Sequence, residues 1–102
     1  MIEKVSMDDI KKDLTILKDY EKIRESSDKI KSSEVKKIYT RYCDAMHSAG
    51  LLMYLKFYLL FICSLSKSYI ASYFHWPENY ITLSEKEIYN HLYVELNKKQ
   101  VD

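Results

Sequence analysis

Only two residues of this 102-residue chain, Gly50 and Pro77, belong to the types that most strongly interrupt regular structure. An all-β fold needs turn residues about every 8–12 positions, so this scarcity argues against one. It suits a few long helices joined by short connections. Because a chain of this length supplies one hydrophobic core, and 47% of its residues are apolar, we predict a single all-α domain spanning residues 1–102.

Helix-start signals and apolar spacing locate the helices. Ser6 and Asp9 have the spacing of a capping box, and apolar residues follow them at intervals of three and four. Ser32 or Ser33 can cap a second helix, and Ser84 with Glu87 has the spacing of a further capping box. A turn is expected at 76–79, because Pro77 disfavours helical backbone in the residue before it. The predicted helices are 7–25, 33–49, 51–74 and 84–98.

The most apolar stretch begins at Leu51 and reads LLMYLKFYLLFICSL, with Lys56 as its one charged residue. A helix that is apolar on most faces is buried in a bundle or lies in lipid. The run is shorter than the roughly 20 apolar residues of a membrane span, and a lysine lies inside it. We therefore predict a small four-helix bundle with 51–74 as its hydrophobic central helix. Membrane association through 51–74 remains the alternative. The predicted core comprises Leu14, Ile38, Leu55, Leu59, Ile62, Leu65 and Leu92.

The charge balance argues against long-range attraction of a polyanion. The chain carries 16 basic and 15 acidic residues, for a net charge of +1. Such a chain has no global field that draws in nucleic acid, so no nucleic-acid partner is expected. Residues 29–41 hold five basic residues against Glu34 alone. That segment could contact RNA phosphates or anionic lipid, or it could be a solvated connection and helix start.

The cysteines and histidines do not define a metal or cofactor site. Cys43 and Cys63 are too few and too far apart for a disulfide framework or a zinc site, so both are interpreted as reduced thiols buried in apolar helices. His91 with Glu95, and His47 with Asp44, share helix faces, but spacing supplies no third ligand. We expect no metal and no cofactor. The N-terminus has no signal-peptide hydrophobic region, which favours a cytoplasmic location.

Residues 41–47, Arg-Tyr-Cys-Asp-Ala-Met-His, resemble the Arg-x(4–6)-His motif of HEPN ribonucleases, which are also small α-helical proteins. The resemblance covers these seven residues. It implies that Arg41 would stabilise the scissile phosphate, that His47 would handle the 2′-hydroxyl proton, and that dimerisation would assemble the site. The alternative is an exposed arginine and a partly buried histidine with no catalytic role.

Three acidic residues form a candidate binding strip at the end of the first predicted helix. Glu21, Glu25 and Asp28 follow one another at i, i+4 and i+7, so like charges share a face. Carboxylates near a helix C-terminus are also unfavourable to the helix dipole. Carboxylates that destabilise their own helix in these two ways are consistent with a surface that binds a basic partner. Neutralisation by nearby lysines is the alternative.

Elimination leaves binding as the expected function. One glycine cannot form a glycine-rich phosphate loop, and no other motif specifies a reaction. We expect a non-enzymatic protein that binds another protein, as a cognate inhibitor of the antitoxin, toxin-immunity or phage-borne antagonist type. Two alternatives remain: a membrane-associated regulator that uses residues 51–74, and a ribonuclease that uses Arg41 and His47.

Overall fold

The computed structural model describes residues 4–20 and 32–98, which form five α-helices and no strand. The all-α bundle is thereby confirmed. The helices are α1 (Met7–Lys18), α2 (Ser32–Met46), α3 (Leu51–Phe57), α4 (Lys67–Phe74) and α5 (Glu78–Lys98). A 3-10 turn (His47–Ala49) follows α2, and a π-helical turn (Tyr58–Ile62) extends α3.

Helix α1 begins as its sequence predicts. The Ser6 hydroxyl accepts a hydrogen bond from the Asp9 amide at 3.1 Å, and the Asp9 carboxylate accepts one from the Ser6 amide at 3.2 Å. Two of the orphan amides of the first turn are thus satisfied reciprocally. The Asn97 side chain bonds both backbone groups of Val5, at 2.7 and 3.0 Å, which fastens the start of α1 to α5. Residues 21–25 of the predicted first helix lie outside the described residues.

Gly50 separates α2 from α3, and its backbone conformation is what ends one helix and allows the next to begin. Its φ of 98° and ψ of 160° lie in a region that is essentially open to glycine alone. The chain therefore turns at Gly50 after the 3-10 turn, and α3 starts at the next residue.

The predicted continuous helix over 51–74 is wrong, because the structure breaks it at residues 63–66. The amide of Cys63 donates to the Tyr58 carbonyl at 2.9 Å, which closes the wide π turn, and Ser64 adopts a positive φ of 59°. The Ser66 hydroxyl then caps α4 by accepting from the Tyr69 amide at 3.1 Å. The apolar run gave no sign of this break, since it is set by cap formation at Ser66.

Helix α5 starts at Glu78, six residues before the predicted start at Ser84. Pro77 immediately precedes the helix, where its fixed φ suits the first turn. The Ser84 hydroxyl does not cap; it donates to the Tyr80 carbonyl at 2.9 Å inside the helix and is fully buried. Helix α5 packs against each of the other four helices, so the core is assembled around it.

The core face of α3 and the π turn differs from the predicted one. Phe57, Leu60 and Phe61 are buried, whereas Leu55 is 38% exposed. A stretch that is apolar all round has no periodicity to select the buried face, so the prediction chose the wrong side. Leu14 and Leu92 are fully buried, as predicted. The remaining predicted core residues are only half-buried against the core: Ile38, Leu59, Ile62 and Leu65.

No helix among residues 4–20 and 32–98 has the length and apolarity needed to cross a membrane.

Both cysteine thiols are free, but only Cys43 is buried. Cys63 is exposed because the helix ends there.

Candidate functional site

The outer side of α3 exposes three leucines. Leu51, Leu52 and Leu55 are 86%, 50% and 38% exposed, while Phe57 on the same helix is fully buried. Leu51 and Leu55 are one turn apart, and Leu59 follows one turn further along. An apolar ridge thus runs along the solvent side of the segment that was predicted to be core.

A groove of about 330 Å³ lies between Leu59 and α4. Tyr69 and Tyr73, both more than half exposed, stack at 6.5 Å between ring centroids along its wall. The groove is lined by Leu59, Leu65, Tyr69, Ile70, Tyr73 and Phe74. We call the ridge leucines (Leu51, Leu52 and Leu55) and this groove together the apolar surface.

A chain of aromatic contacts holds one wall of the groove in place. Phe74 packs edge-to-face on Tyr73 at 4.9 Å and stacks on Trp76 at 4.6 Å, and Trp76 meets Tyr80 at 5.3 Å. Such offset and edge-to-face ring pairs fix relative orientation as well as burying area. The wall of the groove is therefore connected through ring contacts to the start of α5.

Lys56 ends this aromatic chain in the core. Its ammonium lies 4.4 Å from the centroid of the Tyr80 ring and donates to the Tyr80 hydroxyl at 3.0 Å and the Ser84 hydroxyl at 2.9 Å. Lys67 pairs with Glu85 at 2.8 Å. Since residues 45–77 contain no carboxylate and both of their lysines have partners, the apolar surface carries little charge.

The two HEPN-like residues lie in one groove at the end of α2. The groove is lined by Arg41, Asp44, Ala45, His47, Ser48, Glu95 and Leu96. The His47 ring stacks on Tyr54 at 5.1 Å, while the Arg41 guanidinium lies 5.9 Å from the Tyr42 ring. Two carboxylates in this groove, Asp44 and Glu95, oppose the approach of a phosphate from this side of Arg41.

A serine–histidine contact beside this groove has a structural role. His91 Nε2 lies 3.0 Å from the Ser48 hydroxyl and 3.1 Å from the Ala45 carbonyl. Ser48 also donates to that carbonyl at 3.3 Å. These contacts join the end of α2 to α5, which gives the pair a structural role at that helix end. No group of three His, Cys, Asp or Glu side chains in the described part of the chain could hold a metal ion.

Tyrosines surround the Cys43 thiol. Burial raises the pKa of Cys43, while hydrogen bonds from Tyr54 and Tyr39 act in the opposite direction. The bond to Cys43, with burial, raises the pKa of Tyr54 to about 12. A buried thiol kept protonated is a poor nucleophile, which supports a structural role for Cys43.

The acidic strip of Glu21, Glu25 and Asp28 lies outside the described residues and stays a prediction. The apolar surface was missed because 51–74 was predicted to be a buried central helix, with Leu55, Leu59 and Leu65 in the core. The one available signal was the surplus of apolar residues in 51–65, which exceeds what a single buried helix face can hold.

Comparisons of the chain with protein-family models, with curated proteins and with solved structures found no match. A function must therefore follow from the chain's own geometry.

Proposed function

We propose that this protein binds another protein through the apolar surface and acts on it as a cognate inhibitor of the antitoxin, toxin-immunity or phage-borne antagonist type. The observation that supports this is the exposure of Leu51, Leu52, Tyr69 and Tyr73. Exposed patches of large apolar side chains are typical of interaction sites. Tyrosine is also enriched among residues that dominate binding energy.

The partner that fits this surface presents apolar side chains and needs no strong charge. A ridge beside a groove offers one position for a partner's own groove and one for its protruding side chain. The stacked rings of Tyr69 and Tyr73 give contact area at small entropic cost, because an aromatic side chain has few rotatable bonds. Since the apolar surface carries little charge, affinity through it should depend weakly on salt.

The experiment compares two matched double variants. Tagged wild-type protein is used to capture a partner from cells, and mass spectrometry identifies it. Binding kinetics are then measured for Leu51→Ser/Leu52→Ser and for the control Leu83→Ser/Val94→Ser, whose side chains on α5 are 55% and 60% exposed. We expect the first variant to bind at least tenfold more weakly, mainly through faster dissociation. The control should bind like wild type, and wild type should inhibit the partner's activity.

Three results would contradict this proposal. Equal loss of binding in both double variants would remove the apolar surface from the interface. Capture of phospholipid vesicles that depends on Leu51 and Leu52 would instead support the membrane-associated regulator. Dimerisation that requires the same leucines would assign the surface to a second copy of this chain.

A ribonuclease is a second candidate function, favoured by the position of Arg41 and His47 in one groove. The purified protein and a His47→Ala variant are incubated with single-stranded RNA. Cleavage that His47→Ala abolishes would support this candidate. No cleavage, or equal cleavage by both proteins, would dismiss it.

A further inference from the structure

The outer face of α2 concentrates positive charge that the net charge of the chain conceals. Lys36, Lys37 and Arg41 are all exposed and, at i, i+1 and i+5, lie on adjoining rows of the helix. Together with two hydroxyl side chains they form a shallow groove of about 510 Å³. Its described lining contains no acidic residue: Ser33, Lys36, Lys37, Thr40 and Arg41.

An apolar slot lies directly beside this basic groove. The slot has a volume of about 490 Å³, and its aromatic residues are Tyr39, 40% exposed, and the half-buried Tyr20. Lys36 and Thr40 line both the slot and the basic groove, so the two are continuous. The remaining lining residues are apolar: Leu17, Val35 and Ile62.

We propose that this face of α2 binds single-stranded nucleic acid, with phosphates on Lys36, Lys37 and Arg41 and an unstacked base in the slot beside Tyr39. Lysine, arginine and hydroxyl side chains are the usual donors to phosphate oxygens. An aromatic ring next to such a row provides the surface on which a base stacks without regard to sequence. A basic groove and an apolar slot are each common on protein surfaces. Here the two are continuous, and this continuity indicates a polynucleotide.

The geometry favours a single strand over a duplex or an acidic peptide. A base enters the slot only if it is not paired and stacked in a double helix. An acidic peptide would use the three cations and would fill the slot only if it also carried an apolar side chain beside its carboxylates. The cations span about 7.5 Å of the helix, so they can reach few phosphates. The net charge of +1 gives no steering from a distance, and binding is therefore local and salt-dependent.

The first measurement is the salt dependence of binding to a short labelled single strand, as RNA and as DNA. Three phosphate contacts predict a slope of log K against log salt of roughly −2. Lys36→Gln/Lys37→Gln should weaken binding and make this slope shallower. The control Lys11→Gln/Lys12→Gln removes two adjacent exposed lysines from α1, with the same change in charge, and should leave binding unchanged.

The second measurement separates the slot from the cations. Tyr39→Ser should weaken binding of the oligonucleotide roughly fivefold or more, as expected for the loss of one stacked base. It should not change binding of an abasic strand of the same length, which has the phosphates without the bases. Tyr39→Phe keeps the ring and should bind like wild type, which controls for a general effect on folding.

Several results would overturn the proposal. One is absence of oligonucleotide binding at low salt, and another is an equal loss of affinity in the α1 and α2 double variants. The others are equal affinity for the abasic and the normal strand, and an acidic peptide that binds as tightly as the oligonucleotide. The proposed protein-binding function is independent, because Leu51→Ser/Leu52→Ser alters a different surface and should leave oligonucleotide binding intact. Binding also requires no cleavage, so His47→Ala should not affect it.

Discussion

The ammonium group of Lys56 lies 2.9 Å from the hydroxyl of Ser84, and this contact joins α3 to α5 inside the core. Lys56 is 4% exposed and Ser84 is fully buried. Ser84 accepts from Lys56 while donating to the Tyr80 carbonyl, so its hydroxyl is satisfied in both directions. No ion pair to Lys56 occurs among the described residues, so hydroxyl groups and the Tyr80 ring solvate the buried charge.

Lys56→Met should leave the free energy of unfolding unchanged or raise it by up to about 2 kcal/mol. Methionine fills similar space without a buried charge, and Ser84 keeps its bond to the Tyr80 carbonyl. Ser84→Ala in the presence of Lys56 should instead lower the free energy of unfolding by about 1–3 kcal/mol, because the Lys56 ammonium loses an acceptor. Urea unfolding of both variants tests this. A large loss in Lys56→Met would mean that the ammonium itself stabilises the core.

Leu60→Ala should lower the free energy of unfolding by about 2–5 kcal/mol, because Leu60 is 1% exposed and leaves a cavity. Leu55→Ala on the same segment should lower it by less than about 1 kcal/mol, since its side chain already contacts water. Urea midpoints of the two variants give the comparison. Equal losses would show that Leu55 belongs to the core after all.

The start of α1 shows where prediction from the sequence succeeded, and these two leucines show where it failed. Ser6 and Asp9 were correctly predicted to cap α1, because a capping box is read from residues three apart. The choice between Leu55 and Leu60 depends instead on which sides of α3 and the π turn face α5 and α1, and a uniformly apolar run does not encode that. Ser84 was misassigned because a serine before a glutamate can cap a helix or satisfy a buried lysine equally well.

Some features of the candidate sites follow from a local sequence pattern, and others depend on contacts between residues far apart in the sequence. Arg41 and His47 were singled out by a short sequence motif, and they line one groove. The partners of Lys56 are 24 and 28 residues away in sequence, and no local pattern predicts such a contact. The groove of the apolar surface depends on the break at residues 63–66, after which α4 lines it together with Leu59 and Leu65.

Gly50→Ala should lower the free energy of unfolding by about 1–3 kcal/mol through backbone strain alone. A Cβ at this position would meet no atom within 4 Å, so steric clash makes no contribution. Chemical synthesis with D-alanine at position 50 is the matched control, because its mirror-image preference accepts a φ of 98°. If both substitutions had the same effect on thermal unfolding, strain at φ would not be the cause.

Stability should fall as pH rises from about 10 toward 12, and Tyr54 should contribute to that fall. The hydrogen bond to Cys43, with burial, raises the pKa of Tyr54 from 10.0 to about 12. The folded state therefore keeps a proton that the unfolded chain loses above pH 10. The contribution is fully present below that pH and is lost as pH rises through about 12.

The Tyr54 contribution is measured from urea midpoints at about pH 9 and about pH 11. Tyr54→Phe should show a smaller drop between them than wild type. Tyr69→Phe changes an exposed ring and controls for the loss of one phenol. Identical drops in wild type and Tyr54→Phe would exclude the contribution.

The contacts of α5 have a consequence for how the protein is made. The ribosome completes α1 to α4 before it adds the helix on which all four pack, and at ~5–20 residues per second it needs roughly 2–7 s to travel from Ile62 to Lys98. During that interval Phe57 and Phe61 lack the contacts that α3 and the π turn make with α5. Nascent chains that stop before Glu78 should therefore be held by chaperones or degraded, however stable the finished protein is.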